Sequence, residues 1–224
     1  MPICALVGAT YFNEEHFLAQ HFDCVIAVDR GYESLCSLGV VPDLVVGDFD
    51  SLGFIPEGDN VLRFPIEKDE SDMEIAIRGA DHGGCDIQLF YGALGRRLDH
   101  TIANLQLMVG RARRGLHVAA IGADSVVVAL DGKGVNSLEF ASFNPDVLAE
   151  GEYGRYISVF AQGGVASGVN ISGLKYGLVD ADLSDEKSLG LSNEFIGEPA
   201  HISVEMGALL VILPIDAWRY LKKW

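Results

Sequence analysis

The chain has 224 residues, 49% hydrophobic and 21% charged, with 32 acidic against 16 basic side chains and a formal net charge of -16. That length carries one large domain or two small ones with true cores, and the composition excludes a disordered chain. The charge argues against a nucleic-acid partner, which needs a basic face to displace counterions, and no apolar run approaches the ~20 residues of a membrane helix. The opening stretch MPICALVGATYF lacks a basic segment and runs into Asn13-Glu14-Glu15, unlike a secretory signal. Cys4, Cys24, Cys36 and Cys85 form no CxxC pair. Three of them sit in or beside apolar runs, where free cysteine packs as a small hydrophobe, so a reducing, cytoplasmic setting is expected.

In the first half, strand-like and helix-like segments alternate. Residues 3–7, 24–28, 44–46, 61–64, 87–91 and 118–121 are short, apolar and rich in β-branched or aromatic residues. Helical spacing falls over 14–21, 31–38, 72–82 and 99–114, the last with Ile102, Leu105, Met108 and Val109 on one face. This order predicts an α/β fold, a mostly parallel sheet flanked by helices. After Gly132-Lys133-Gly134 the character changes to short strands over 156–160, 165–171, 201–204 and 208–213, followed by a helical pattern over 215–223. A smaller antiparallel β-sandwich is expected there, giving domains 1–132 and 133–224.

In a parallel sheet, ligands bind at the carboxyl ends of the strands, which is where the polar motifs fall. Asp29-Arg30-Gly31 follows the second strand. Gly47-Asp48-Phe49-Asp50-Ser51 follows the third, and strand alternation predicts Asp48 and Asp50 on one side with Phe49 turned into the core. In Lys68-Asp69-Glu70-Ser71-Asp72, Ser71 is placed to cap a helix whose first turn holds Asp72 at the positive end of the dipole. Converging carboxylates repel unless a proton or hard cation lies between them, so Mg2+ is expected. Gly92-Ala93-Leu94-Gly95-Arg96-Arg97-Leu98-Asp99-His100 joins glycines that allow close backbone approach, a forked cation for phosphate in Arg97, and a base or metal ligand in Asp99; Asp99 capping the following helix is the plain alternative. Asp29 is read either as a turn residue or as a contact to nucleotide or metal. Neither a Walker A sequence nor GxGxxG is present.

In their order, these motifs, with Gly173-Leu174-Lys175-Tyr176 and Gly190-Leu191-Ser192-Asn193-Glu194 downstream, resemble the thiamine pyrophosphokinase family over nearly the whole chain. The resemblance implies an amino-terminal α/β catalytic domain, a carboxy-terminal β-sandwich domain and a homodimer. It also implies Mg2+-dependent transfer of the terminal diphosphate of ATP to the thiamine hydroxyl. On this resemblance Asp48, Asp50 and Asp72 hold the metal, and Asp99 and Arg97 lie near the transferred group. Asp29, Gly31, Lys68 and Arg97 face the nucleotide, and Ser192 and Asn193 belong to the thiamine element, in a cleft involving both subunits. Arg30 and Arg96 stand where the family usually has glycine. A pterin alcohol as acceptor, or a non-catalytic sensor of nucleotide or thiamine diphosphate, are the competing expectations.

Overall fold

The computed structural model describes residues 1–65, 67, 69–148 and 153–224. Lys68, expected at the nucleotide, lies outside the described residues. The chain divides into two compact units, residues 1–104 with 120–123 and residues 105–119 with 124–224.

The first unit is built on a parallel sheet. Strands β1 (Ile3–Val7), β2 (Cys24–Val28), β3 (Leu44–Gly47), β4 (Val61–Arg63) and β5 (Ile87–Tyr91) stand in the order β5-β1-β2-β3-β4. Every pairing among them is parallel, with Val7 opposite Ala27, Val28 opposite Val46 and Gly47 opposite Arg63. Helices α1 (Glu14–Leu18), α2 (Gly31–Ser37) and α3 (Asp72–His82) connect them. Helix α3 shows how sequence becomes packing. Met73, Ala76, Ile77 and Ala80 recur at helical spacing and are buried. A Cβ on Gly79 would stand 2.6 Å from Leu44 Cδ2, so this helix packs closely on β2 and β3 and a larger residue here would make the Leu44 side chain shift. The β1 residues Cys4 to Val7 have no solvent exposure at all, as expected of a central strand covered on both faces.

Helix α4 (Leu98–Ala112) and strand β6 (His117–Ile121) each contribute residues to both units. The second unit holds strands β7 (Ser125–Asp131), β8 (Ser137–Phe140), β9 (Tyr156–Ala161), β10 (Val165–Ser172), β11 (Leu178–Ser184), β12 (Asn193–Glu194), β13 (Ala200–Ser203), β14 (Ala208–Pro214) and β15 (Leu221–Lys223). They form two antiparallel arrays, β12-β9-β14-β7 and β11-β10-β13-β8-β15, with β10 lying against β14 and β11 against β9. This is the expected β-domain. The helical pattern over 215–223 is corrected: the chain makes a 3-10 turn at Ile215–Tyr220 and then the strand β15, pairing Leu221 with Phe140 and Lys223 with Glu139. Aromatic packing overrides the periodicity. Tyr220 stacks on Phe143 with ring centroids 4.1 Å apart, and Trp218 meets Trp224 edge-on at 5.0 Å.

Candidate active site

Because β1 to β5 run parallel, their carboxyl ends share one edge, and the strand order reverses between β1 and β5, where such sheets open a ligand crevice. There two backbones nearly touch. A Cβ on Gly92 would stand 2.4 Å from Gly8 O, and one on Gly8 would stand 2.8 Å from Gly92 O. Gly8 N donates to Tyr91 O at 2.8 Å, Thr10 N to Gly92 O at 3.1 Å and Thr10 Oγ1 to Leu94 O at 2.8 Å, lacing the β1 and β5 loops together. Buried Asn104 of α4 holds the same loop from below, donating Nδ2 to Ala93 O at 2.8 Å.

Asp29 follows β2 in a left-handed conformation, φ 48°. Its amide donates to Val46 O at 2.9 Å, and its Oδ1 accepts from Phe49 N at 3.3 Å. Gly47 makes room for this carboxylate, since a Cβ there would stand 2.2 Å from Asp29 Oδ1. Asp48 and Asp72 converge on it. Burial pushes the Asp29 carboxyl up to about 6, the charge of Asp72 and then that of Asp48 add to the rise, and the Phe49 amide opposes it. Asp72 opens α3, and Ser71 caps it as the sequence suggested, its Oγ accepting from Glu74 N at 3.2 Å.

Strand alternation does not extend through the second motif. Strand β3 ends at Gly47, and Phe49 has φ 64°; its ring is buried, 3% exposed. The chain therefore turns, and Asp50 is exposed, its amide donating to Asp48 Oδ1 at 3.0 Å. The carboxylates brought together are Asp29, Asp48 and Asp72, with Asp50 at the rim of the turn. Among the described residues no group of three or more His, Cys, Asp or Glu side chains is placed to hold a metal ion.

Gly31 brings α2 onto β1, because a Cβ there would overlap Val7 O at 1.7 Å. Arg30 turns to its own helix, bonding Glu33 Oε2 through Nε and Nη2 at 3.3 Å each, and Arg96 is exposed. Arg97 and Asp99 close a two-pronged pair, Nε to Oδ1 at 2.9 Å and Nη2 to Oδ2 at 2.6 Å. Asp99 is the second residue of α4. The Arg97 guanidinium holds its carboxyl well below the usual carboxylate range, which suits a ligand or orienting group and makes Asp99 a weak base in this arrangement. Sequence reading passed over Arg63. It ends β4 and, with Asp48, Phe64, Pro65 and Glu67, lines an open cavity of about 600 Å³. Its position after an apolar strand, level with Gly47, was the available signal.

In the second unit Asn193 is buried at 3% exposure, and its amide is spent on backbone. Nδ2 donates to Tyr176 O at 2.6 Å, while Oδ1 accepts from Tyr176 N and Glu194 N, both at 2.9 Å. Ser192 is exposed with φ 56°, its amide donating to Ser158 Oγ at 3.0 Å. Asn193 thus positions Tyr176 beside a cavity of about 260 Å³ lined also by Ile171, Leu178, Ser188, Leu189 and Leu191. Asn193→Ala removes the three hydrogen bonds that this buried amide makes to the backbone of Tyr176 and Glu194 and is expected to cost about 1–3 kcal/mol of stability. Denaturant unfolding checks this, and a loss under about 0.5 kcal/mol, the size of an ordinary surface change, counts against the lock.

A strand-end carboxylate cluster on a parallel α/β sheet, joined in one chain to an antiparallel β-domain, is the plan of a two-domain transferase. Two family models match: thiamin pyrophosphokinase, catalytic domain, over residues 16–120, and thiamin pyrophosphokinase, vitamin B1 binding domain, over 146–209. The thiamine pyrophosphokinase of Bacillus subtilis (strain 168) is 26% identical over 213 residues, 92% of each chain. The solved structure of thiamin pyrophosphokinase from Geobacillus thermodenitrificans superposes with a TM-score of 0.76 at 25% identity, covering 96% of this chain and 98% of that one. The Candida albicans enzyme, at 14% identity, shares the fold with a TM-score of 0.77, over 96% and 89%. This chain belongs to the thiamin pyrophosphokinase family.

Proposed function

We propose that this chain transfers the terminal diphosphate of ATP to the hydroxyl of thiamine, giving thiamine diphosphate and AMP. The observation that carries the reading is the convergence of Asp29, Asp48 and Asp72 at the strand-end edge, within the span matched by the catalytic-domain model. The vitamin B1 binding match over 146–209 favours thiamine over a pterin alcohol as acceptor.

The donor set fits Mg2+: hard carboxylate oxygens whose mutual repulsion a cation relieves. Asp48 and Asp72 would hold the ion, with Asp29 beside them and Asp50 reaching it from the rim of the turn. When bound, Mg2+ supplies charge neutralisation to the transferring diphosphate. Arg97 exchanges Asp99 for a phosphate oxygen, and Asp99 then orients the thiamine hydroxyl for in-line attack. Gly31 and Asp29 border the nucleotide, and Arg63 adds a cation on the Asp48 side. Ser192 and the Tyr176 loop held by Asn193 receive thiamine. The chain is taken to act as a homodimer, as the family resemblance implies. Among the described residues no helix is long and apolar enough to cross a membrane, and with four free cysteines we place the protein in the cytoplasm.

Incubation with ATP, Mg2+ and either thiamine or a hydroxymethyl pterin tests the acceptor. AMP with thiamine diphosphate is expected, and pyrophosphorylation of the pterin alone defeats the reading. A second expectation concerns pH. The folded Asp29 carboxyl sits at about 6 against an ordinary 3.8, so the metal-free fold binds its proton more tightly than the unfolded chain. That contribution is fully present below the ordinary value and is lost as pH rises through about 6. Mg2+ must displace this proton, so it should raise the melting temperature clearly more at pH 7.5 than at pH 5. Equal shifts at the two pH values count against Asp29 beside the ion.

A further inference from the structure

A group of thiols lies at the opposite ends of the same strands, away from the carboxylate edge. Cys4 lies in β1 and Cys24 opens β2, directly opposite each other in the parallel register. Paired strands run about 4.8 Å apart, so the two Cα atoms fall within the roughly 4.4–6.8 Å span of a disulfide, and side chains of opposed residues share one face of the sheet. Cys85, just ahead of β5, brings a third thiol near the pair, and the Cys4 Sγ–H donates to Ala5 O at 3.7 Å. All are free thiols. Cys4 has no solvent exposure and Cys85 has 3%, whereas Cys24 is only partly covered and is the member of the cluster that a small oxidant reaches. Among the described residues the cluster is not a metal group, and none of the three thiols belongs to the carboxylate site.

We propose that this cluster is a site of reversible oxidation, in which peroxide attacks Cys24 and Cys4 closes a Cys4–Cys24 disulfide. The geometry is reinforced by the acidity of the pair. The neighbouring Cys4 thiol lowers the Cys24 thiol while that of Cys4 is raised, although burial and the charge of Asp43 work against the lowering at Cys24. The Cys24 thiolate attacks one oxygen of hydrogen peroxide, the O–O bond breaks, and Cys24 becomes a sulfenic acid as hydroxide leaves and takes up a proton. The Cys4 sulfur then attacks the Cys24 sulfur. The S–O bond breaks and the hydroxyl departs as water with the Cys4 proton. Two thiols are oxidised, one peroxide is reduced, and two waters form.

The test exposes the full-length native chain to hydrogen peroxide, alkylates the remaining thiols under denaturing conditions and maps the products by mass spectrometry. A reductant-reversible loss of two hydrogens, carried by a peptide pair joining Cys4 to Cys24, is expected in the wild type and unchanged in Cys36→Ser. Cys24→Ser should abolish the link; where that variant does not fold, the wild-type map alone decides. A link that uses Cys85, oxidation of Cys24 past the sulfenic stage with Cys4 still alkylated, or oxidation confined to exposed Cys36 overturns the proposal.

Discussion

Asp72→Asn is expected to lower turnover by about 10³-fold or more, since a metal carboxylate contributes several kcal/mol to transition-state charge stabilisation and each ~1.4 kcal/mol is a factor of ten. Stability should move little. Asn at the first position of α3 forgoes a favourable charge at the helix start, worth about 0.3–1 kcal/mol, but also removes the charge that most strongly repels Asp29. The two changes oppose, so unfolding free energy should stay within about 1 kcal/mol of wild type. Steady-state kinetics and denaturant unfolding on one preparation separate them. A folded variant with near wild-type turnover removes Asp72 from the reaction; a variant that loses both activity and several kcal/mol shows that Asp72 is structural instead.

Gly31→Ala should produce the largest stability loss of any single methyl in the first unit. Its Cβ would stand 1.7 Å from Val7 O and 2.5 Å from Val7 C, and both partners are backbone atoms of a central, fully buried strand. Side-chain overpacking costs about 1–3 kcal/mol because neighbours can yield. Here α2 must lift from β1, so at least about 3 kcal/mol is expected, near 6–12 °C in melting temperature for a chain of this size. Activity should fall with it, because α2 begins directly after Asp29. Gly110→Ala is the control: it lies within α4 with nothing inside 4 Å of the added carbon, and should be neutral or stabilising by up to about 1 kcal/mol. Equal melting temperatures for the two variants would show that the contact relaxes at no cost.

Much of the first unit was legible because parallel β/α alternation writes itself as apolar runs separated by capped helices. Ser71 capping α3 and the polar loops after β2, β3 and β5 follow from local chemistry alone. The arrangement of the carboxylates was less legible. Alternation assumes extended backbone, but β3 stops at Gly47, and the left-handed Phe49 turns Asp50 outward. Asp29 reaches Asp72 through a space that Gly47 keeps open, and nothing in their spacing of 43 positions announces it. In the second unit β7 went unread although Val126-Val127-Val128 is the same kind of continuous β-branched run that marked the buried strands of the first unit. The segment 215–223 misled because its apolar spacing serves ring stacking on Phe143 and pairing with β8, both contacts remote in sequence.

The central claim is that the strand-end carboxylates direct transfer of an intact diphosphate from ATP to thiamine. The most direct measurement uses ATP labelled at the γ-phosphorus, with thiamine and Mg2+, comparing wild type and folded Asp72→Asn. The label should appear in thiamine diphosphate as unlabelled AMP accumulates in equal amount, only with Mg2+, and at most feebly in the variant. Label released as inorganic phosphate or carried on thiamine monophosphate, or transfer undiminished in Asp72→Asn, would contradict it.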